Sequence, residues 1–454
     1  MKKLVLIPAL IFASMFPAIS ESGINFSADI QTKWGVAAPW TDSENAGRFT
    51  LGKTSFLAKL DAYYENCSAY AEADFSFDAA NMSGGNLTNG FNLSLGELWL
   101  DYTDSFWGVR VGRQKAAWGK ADGINITNVL CPSDMSSFSA MTGDNGNLSV
   151  DALRVSFNGN SFTADAYWIP FFTPSSLPLN EGNPLRRFVV PSSVEFPIPG
   201  VGKTSLPVSI GEIKKPELAI WNGEWGVKLS GYFSALDVSL YGFYGWDDTP
   251  LLDYSILYGE PNPPYPAMPN GIKVGGEYKR MGMVGADAAL PIGETVIRLE
   301  TAFFPQRHFQ KSAAKIIEEK NTSTSVETSE RHNELSALAG LDWMPNGWTL
   351  TAQYYCDVVF GNLDNLERAN VYEHGMTLSI SKSLVNETLE LGVSGILGLN
   401  DFDSMISPTI KYSLSDYINL GLGAYVFIPG PSRTGKYGAY KNLSSIYISA
   451  KISF

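Results

Sequence analysis

The chain ends on Ser444-Ser-Ile-Tyr-Ile-Ser-Ala-Lys-Ile-Ser-Phe454, where apolar and polar residues alternate up to a terminal aromatic residue. One face of such a strand is apolar: Ile446, Ile448, Ala450, Ile452 and Phe454. The closing strand of a bacterial outer-membrane β-barrel needs this pattern, because one of its faces meets lipid and the other meets the lumen. A soluble domain whose last strand ends the chain is the alternative.

The N-terminus predicts export from the cytoplasm. Lys2 and Lys3 precede the apolar stretch Leu4–Phe16, and Ala18-Ile-Ser20 offers small residues for cleavage. The apolar stretch is too short to span a bilayer as a helix, which takes about 20 residues. We therefore expect residues 1–20 to be a signal peptide and residues 21–454 to form a single barrel domain.

Composition and charge exclude some partners. Hydrophobic residues make up 44% of the chain and aromatic residues 13%, but after Ser20 they never form a long uninterrupted run. Alternation instead spreads them along the chain. The formal charge is −13, and without Lys2 and Lys3 it becomes −15, with 46 acidic and 31 basic residues. Such a balance argues against a nucleic-acid partner and favours acidic surface loops.

A period of two recurs along the mature chain and predicts about eighteen strands. Clear examples lie at 56–64, 69–77, 335–343, 348–354 and 418–426. The opposite phase of these segments is polar, so charged residues face inward and apolar residues face outward. We predict an all-β fold, namely a transmembrane antiparallel up-and-down β-barrel; sixteen or twenty strands are the alternatives.

The connections alternate between short and long. The short ones are rich in Asn, Gly, Asp and Pro, which suits hairpin turns; they lie at 65–66, 104–106, 158–160, 236–237, 291–293, 345–347, 385–386 and 415–417. The long ones lie at about 35–49, 78–91, 117–148, 169–223, 247–271, 305–333, 360–371 and 428–443, and the ninth connection of this series, near Asn400-Asp401, is a short exception. Short periplasmic turns and long extracellular loops are typical of outer-membrane barrels.

Two of the long loops hold further predictions. The segment 169–223 is rich in proline and long enough either to fold into the lumen as a plug or to lie on the surface as a solvated loop, and the sequence favours neither. A short helix is expected at Ser312–Lys320, within the loop at 305–333.

The sequence predicts no catalytic, cofactor or metal site. Gly47-Arg-Phe-Thr-Leu-Gly-Lys-Thr54 fits a phosphate-loop pattern, but the residues that follow alternate as a strand, whereas that pattern requires a helix. His308, His332 and His374 match no metal-ligand spacing. Cys67, Cys131 and Cys356 are expected in a turn, in a loop and on the lipid face, so no structural disulfide is expected. Since no catalytic motif stands out, no enzyme activity is expected either.

One stretch resembles a known family. It comprises Arg110-Val-Gly-Arg-Gln114, Trp118-Gly119, Gly123-Ile-Asn125 and Asn128-Val-Leu-Cys-Pro132-Ser-Asp134. It is similar to the signature of a family of uncharacterised porin-like outer-membrane proteins, distantly grouped with alginate-export porins. The resemblance implies a channel of about eighteen strands. The ending on Phe454 likewise resembles the sorting signal that the barrel-assembly machinery reads.

The same stretch contains the candidate constriction. If its loop folds back into the lumen, basic side chains could face acids across the pore and screen solutes by size and charge. Arg113 falls in the outward phase, so either a bulge near Gly112 turns it inward or it sits at the membrane interface. The candidate pore residues are Arg110, Arg113, Lys115, Trp118, Asp122, Arg154, Asp101 and Glu97.

The predicted lumen wall mixes both signs of charge, and this decides between substrates. Its expected bases include Arg298, Lys228 and Lys279, and its acids include Glu277 and Glu300. No basic stripe for an anionic polymer stands out. The leading hypothesis is an outer-membrane porin for passive or weakly selective passage of small hydrophilic solutes. The alternatives are a surface adhesin anchored by the barrel and, third, a fatty-acid type transporter.

The expected partners follow from this hypothesis. They are outer-membrane lipid, the barrel-assembly machinery through the C-terminal strand, and small solutes. The oligomeric state and the substrate stay open at this stage.

Overall fold

The computed structural model describes residues 22–41, 46–79, 90–136, 146–179, 183, 185–198, 202–261, 267–320, 322–323, 325–432 and 435–454. The predicted signal peptide lies outside these ranges, as does Glu21, the predicted first residue of the mature chain.

The described residues form twenty-two strands. In chain order they are β1 (Ser22–Ala37), β2 (Phe49–Tyr64), β3 (Cys67–Asp78), β4 (Phe91–Thr103), β5 (Trp107–Gln114), β6 (Val150–Asn158), β7 (Phe162–Ile169), β8 (Ser193–Ile198), β9 (Gly202–Lys214), β10 (Glu224–Tyr232), β11 (Asp237–Trp246), β12 (Leu251–Tyr258), β13 (Pro269–Glu277), β14 (Arg280–Ile292), β15 (Thr295–Gln310), β16 (Ser329–Trp343), β17 (Trp348–Phe360), β18 (Tyr372–Leu384), β19 (Leu389–Gly398), β20 (Asp403–Ser415), β21 (Ile418–Ile428) and β22 (Ser445–Ser453).

Eighteen of these strands, all except β8, β9, β12 and β13, form one sheet in the described part of the chain. Each pairs antiparallel with its neighbours, and β1 pairs with both β2 and β22. The predicted barrel and its strand number are therefore confirmed. The closure extends to the last residue, because the N–H of Phe454 donates to the carbonyl of Ala28 at 2.8 Å.

The two faces of the barrel wall have opposite polarity. Large apolar side chains point outward and are exposed, as at Leu93 (71%) and Ile448 (63%). Charged side chains such as Asp101 and Glu300 point inward and are buried. Such an apolar outer surface is stable against lipid and unstable against water, because the transfer of apolar surface out of water is favourable. The predicted orientation of the strands is confirmed.

The short and long connections alternate as the sequence predicted, including the short exception at 399–402 between β19 and β20. The turn at 344–347 contains Asn346 and Gly347 with φ of +46° and +75°, the conformation that Asn-Gly provides in tight hairpins. Trp343 and Trp348 flank this turn on the outer face, as in the aromatic girdles of membrane barrels. On the other side, we name two long loops L3 (residues 115–149) and L4 (residues 170–223).

Four strands build a second sheet outside the barrel wall, in the order β12-β13-β9-β8. Leu206, Ile272 and Val274 form its small core. The sequence analysis placed Glu277 and Lys279 on the lumen wall, and this prediction was wrong. Glu277 ends β13 and Lys279 follows it, so neither lies on a barrel strand. Strands of the barrel and strands of this extracellular sheet both alternate with period two. The sequence therefore cannot distinguish one kind of strand from the other.

The described residues contain two α-helices, α1 (Arg186–Val189) in L4 and α2 (Ala313–Lys320) between β15 and β16. The predicted helix at Ser312–Lys320 is thereby confirmed. No helix in the described residues is long and apolar enough to cross a membrane.

Candidate functional site

L3 folds into the barrel and packs against the inner wall. Its apolar side chains form the largest buried cluster with residues of the wall, among them Trp118 and Leu130 from the loop and Tyr167 and Tyr241 from β7 and β11. The Trp118 ring centroid lies 5.1 Å from that of Tyr241 and 6.0 Å from that of Tyr167. Burial of these side chains stabilises the inserted loop, since a fully buried large apolar side chain contributes about 1.5–3 kcal/mol.

The carboxylate of Glu300, on β15, accepts hydrogen bonds from L3. Its Oε2 accepts the backbone N–H groups of Lys120 and Ala121 at 2.7 and 2.9 Å. Its Oε1 accepts the backbone N–H of Thr127 at 2.8 Å and the Thr127 hydroxyl at 2.7 Å. Glu300 is only 3% exposed. Four donors therefore surround one buried negative charge, which fixes the loop to the wall through charge-assisted bonds.

A second attachment uses Arg298, two residues earlier on the same strand face. Its Nη2 lies 2.6 Å from Asp122 of L3 and 2.7 Å from Asp342 of β16. Its Nη1 donates to the carbonyl oxygen of Lys120 at 2.5 Å. The planar guanidinium can serve these partners together, which an ammonium group cannot do in the same geometry.

The third attachment reaches the far wall. Gln353 of β17 accepts the N–H of Asp122 at 2.9 Å and donates to its carbonyl at 2.8 Å. Between β5, where L3 begins, and β17, seven strands intervene: β6, β7, β10, β11, β14, β15 and β16. Since the whole barrel has eighteen strands, L3 reaches almost the opposite side of the lumen.

The loop also reaches deep along the barrel axis. Arg298 is the fourth residue of β15, which begins just after the periplasmic turn. At about 3.3 Å per residue, this places Asp122 roughly 10 Å along the strand from that turn. L3 therefore narrows the lumen in its periplasmic half.

Two glycines allow the close approach between loop and wall. Gly119 has φ of +82°, and a Cβ built there would lie 2.4 Å from Glu300 Oε1. Gly226 on β10 leaves room for Leu130 and Trp118, which a Cβ would meet at 2.7 and 3.0 Å. Gly119 of the sequence motif is thus required by geometry.

Three predicted pore residues form a cluster on β4, β5 and β6. Asp101 accepts from Arg110 Nε at 2.7 Å and from Arg154 Nη2 at 3.3 Å. The Arg110 guanidinium also lies 3.7 Å from the ring centroid of Trp99. The sequence suggested that Arg110 faces acids across the pore. The structure differs, because the acid that pairs with Arg110 is Asp101 on the neighbouring strand. Neighbouring inward positions of paired strands lie closest together, which favours this pairing.

The structure places the other predicted pore residues separately. Arg113 is in register with Leu98 and Asp151 on the outward face, where it pairs with Asp151 at 3.1 Å. No bulge near Gly112 turns Arg113 into the lumen. Its side chain lies on the outer face near the loop end of β5, so Arg113 is not a pore residue. Glu97 accepts the backbone N–H of Lys115 at 2.8 Å, at the point where L3 leaves the strand.

L4 also crosses the lumen. Its residues Leu185 and Phe188 pack in a cluster with Met405 of β20, Tyr425 of β21 and Tyr447 of β22. These strands lie across the barrel from β7, where L4 begins. The rest of L4 contributes β8 and β9 to the extracellular sheet. The sequence left open whether this segment plugs the lumen or lies on the surface. The part around Leu185 and Phe188 folds into the lumen, and the part with β8 and β9 lies on the surface.

L3 and L4 contact each other above the constriction. The N–H of Met135 donates to the carbonyl of Ser176 at 2.8 Å, and the N–H of Ser176 donates to that of Ser133 at 3.0 Å. The Ser175 hydroxyl donates to Asp248 at 2.7 Å. The two loops therefore form one hydrogen-bonded layer inside the barrel.

Cys131 of L3 is buried beside Ala116, and burial raises the pKa of its thiol to about 11. The thiol therefore stays protonated at neutral pH and takes part in packing. The described residues contain no group of three or more His, Cys, Asp or Glu side chains placed to hold a metal ion.

Sequence reasoning did not select Glu300, Gln353 or Tyr241 as site residues. Their inward phase was readable, and Glu300 was expected on the lumen wall. The missing information was which wall strands L3 reaches, because the bond from Thr127 to Glu300 joins residues 173 positions apart.

An eighteen-strand antiparallel barrel with an apolar exterior, a charged interior and a loop folded into the lumen defines the class of outer-membrane porin-like barrels. Within this class, the chain belongs to the family described as "Protein of unknown function (DUF1302)", whose model matches residues 43–388.

Solved structures share the fold. OccAB1 of Acinetobacter baumannii is 9% identical, with 96% of this chain and 97% of that chain covered and a TM-score of 0.52. OccK1 (OpdK) of Pseudomonas aeruginosa is 8% identical, with 95% and 98% covered and a TM-score of 0.50. A comparison with curated protein sequences gives no match.

Proposed function

We propose that this protein is an outer-membrane porin through which small hydrophilic solutes pass passively or with weak selectivity. The observation that supports this most is the attachment of L3 to Glu300, Arg298 and Gln353, because it places a folded loop inside a charged lumen. Such a loop restricts passage by size while the barrel wall keeps the path polar.

The charges around the constriction favour weak selectivity. Arg298 lies between two carboxylates, and Asp101 lies between two arginines. Opposite charges that are already paired leave little net field to select one sign of solute. The distant relation to alginate-export porins that the sequence motif suggests belongs to this proposal, but an alginate-like substrate does not. An anionic polymer would need a basic stripe along the lumen, and these charge pairs do not form one.

The test is conductance of the purified full chain in planar lipid bilayers. We expect discrete ion-current steps with weak preference between K⁺ and Cl⁻. Correctly folded protein that repeatedly gives no steps would overturn the channel proposal.

A surface-interaction function is the second candidate, and the extracellular sheet favours it. L4 and the segment between β11 and β14 build this sheet outside the wall, with Tyr258 on β12 exposed and Trp221 exposed just before β10. Exposed aromatic side chains suit contacts with another molecule.

Two separate deletions within L4 distinguish the candidates. Replacing residues 192–215 by a short linker removes β8 and β9, whereas replacing residues 172–190 removes the part that crosses the lumen. The porin proposal expects larger conductance only from the second deletion. If only the first deletion has an effect, on binding of cells to a surface, the surface-interaction function is favoured.

The membrane partners belong to the same proposal. The exposed apolar exterior fits outer-membrane lipid, and the paired closing strand that ends on Phe454 fits recognition by the barrel-assembly machinery. Replacing Phe454 by Ala should lower the amount of folded barrel in the outer membrane. The same change at Phe106, an exposed aromatic residue on a periplasmic turn, should not.

A further inference from the structure

A short segment of L4 exposes three large apolar side chains beside the barrel wall. It comprises residues 216–222, between β9 and β10, and it ends in a 3₁₀-helical turn at Ile220–Asn222. Leu218, Ile220 and Trp221 are 80%, 69% and 75% exposed. Large apolar side chains that are exposed together mark a surface that contacts another molecule or a membrane.

Side chains of the outer face hold the end of this segment at the extracellular rim. Arg280 begins β14 in the same phase as Val284, which points outward and is exposed. The Arg280 guanidinium donates to the carbonyl oxygen of Gly223 at 3.0 Å. The indole N–H of Trp246, the register partner of Arg280, donates to the carbonyl oxygen of Asn222 at 2.9 Å. The end of the segment therefore lies against the outer side of the wall.

The segment adjoins aromatic side chains of the lipid-facing surface. Trp225 and Tyr244 are both 57% exposed on the outer face, and Trp225 stacks on Trp168 with the ring centroids 6.0 Å apart. Aromatic side chains at the ends of membrane-spanning strands lie at the level of the lipid headgroups. At about 3.3 Å per residue, Gly223 is only roughly 7 Å further along the chain than Trp225. The exposed side chains of the segment therefore start at the boundary between lipid and water.

Hydrogen bonds within the segment fix its shape. The N–H of Asn222 donates to the carbonyl of Ala219 at 2.9 Å, and its side-chain amide donates to the carbonyl of Glu217 at 2.9 Å. The Trp221 carbonyl also accepts from Arg280 at 3.4 Å. Because the backbone is already ordered, little further conformational entropy is lost when its side chains bind a surface.

We propose that residues 216–222 are a lipid-docking element of L4. Leu218, Ile220 and Trp221 insert among the upper parts of the acyl chains in the outer leaflet, as the apolar face of an interfacial segment does. Continuity with the lipid-facing aromatic side chains selects a lipid surface over a second copy of the chain or a soluble partner. Since β9 directly precedes the segment, docking also holds the extracellular sheet beside the membrane. The inference requires a barrel that lies in a membrane and does not depend on what passes through it.

The test uses a polarity-sensitive fluorophore on single cysteines of the full chain. Cys67 and Cys356 are replaced by Ala, whereas Cys131 is buried and can stay. Leu218→Cys carries the label in the segment. Leu257→Cys is the matched control, because Leu257 is also an exposed apolar residue but lies on β12 of the extracellular sheet.

Both labelled proteins are reconstituted into phospholipid vesicles. The label at position 218 should show blue-shifted emission and should lose fluorescence when lipids carry a nitroxide near the top of the acyl chain. The label at position 257 should show neither effect and should be quenched by iodide in the water. Labels that respond alike would overturn the proposal. Protection of the label at position 218 only at high protein-to-lipid ratio would also overturn it, because a second copy would then cover the segment.

A further variant tests how the segment is positioned. Arg280→Met removes the hydrogen bonds to Gly223 and Trp221, so nitroxide quenching of the label at position 218 should decrease. Arg331→Met is the control, because Arg331 is an exposed residue of β16 that bonds to His308 and not to L4. Equal quenching in the two variants would contradict the positioning role of Arg280. The comparison of the two labels still decides the proposal if Arg280→Met fails to fold.

Discussion

The backbone N–H of Thr127 in L3 donates to the Glu300 carboxylate of β15 at 2.8 Å, although 173 residues separate the two in the chain. The Thr127 hydroxyl donates to the same oxygen at 2.7 Å. Thr127 and Glu300 are both almost fully buried. This pair therefore joins the loop that narrows the lumen to the wall at a position from which water is largely excluded.

Replacing Glu300 by Gln should release L3. The amide would present an NH₂ group towards N–H donors, and each buried N–H left without an acceptor costs about 1–3 kcal/mol. We expect a lower melting temperature and a larger, noisier single-channel conductance, measured by circular dichroism in detergent and in planar bilayers.

Glu390→Gln is the control for this change. Glu390 also faces the lumen, but it pairs with Lys411 at 3.0 Å on the neighbouring strand and does not contact L3. If both variants change the conductance equally, Glu300 has no special role in holding the loop.

Gly119→Ala tests the close approach of the loop to the same carboxylate. The new Cβ would lie 2.4 Å from Glu300 Oε1, and the positive φ of +82° adds about 1–2 kcal/mol of backbone strain. Gly293→Ala has comparable backbone strain at φ of +62°, but its Cβ would meet no atom within 4 Å. Both variants should lose stability, whereas only Gly119→Ala should alter single-channel conductance. Unchanged conductance of Gly119→Ala would show that the loop tolerates the displacement.

Arg298→Met should make the pore more selective for cations. The change leaves Asp122 and Asp342 without their shared positive partner at the constriction. Two unpaired carboxylates would attract cations and repel anions. The reversal potential in a KCl gradient measures this shift, and an unchanged reversal potential would place these side chains away from the ion path.

Asp101→Asn should shift selectivity in the opposite direction. Arg110 and Arg154 would then lose their shared carboxylate, and their positive charges would face the lumen unpaired. The same reversal-potential measurement applies. The effect should decrease as salt is raised, because the Debye length shortens from about 10 Å at 0.1 M to about 3 Å at 1 M. A shift that is independent of salt would indicate a changed loop structure instead of a changed field.

The barrel itself could be predicted from the sequence, because lipid and lumen impose a period of two that repeats from Phe56 to Phe454. The hairpin at Asn346-Gly347 was readable for a similar local reason, because the Asn-Gly dipeptide readily adopts the positive φ angles that the structure shows there. The separate extracellular sheet was not readable, since β13 has the alternation of a barrel strand. Within the site, Trp118 lies in the motif and Asp122 was a candidate pore residue of the same stretch, but their partners Tyr241 and Arg298 are set by how far L3 reaches around the barrel. No local pattern encodes that distance.

Asp248→Asn should stabilise the layer formed by L3 and L4 at neutral pH. Asp248 lies outside the membrane-spanning strands, where burial, with a smaller effect of the neighbouring Asp247, raises the pKa of its carboxyl. The folded protein therefore binds the proton of this carboxyl more tightly than the unfolded chain does. The stability that it contributes is fully present below the ordinary Asp pKa of about 3.9 and is lost as pH rises through the raised value.

The Asn side chain resembles the protonated form at every pH and can still accept the Ser175 hydroxyl. We therefore expect a higher melting temperature than wild type at neutral pH, with a difference that shrinks on acidification towards about pH 4. Circular dichroism melts across this pH range in detergent measure it. Asp416→Asn, on an exposed periplasmic turn, is the control. A destabilised Asp248→Asn at neutral pH would mean that the charge of Asp248 is needed to hold Ser175, which contradicts the burial argument.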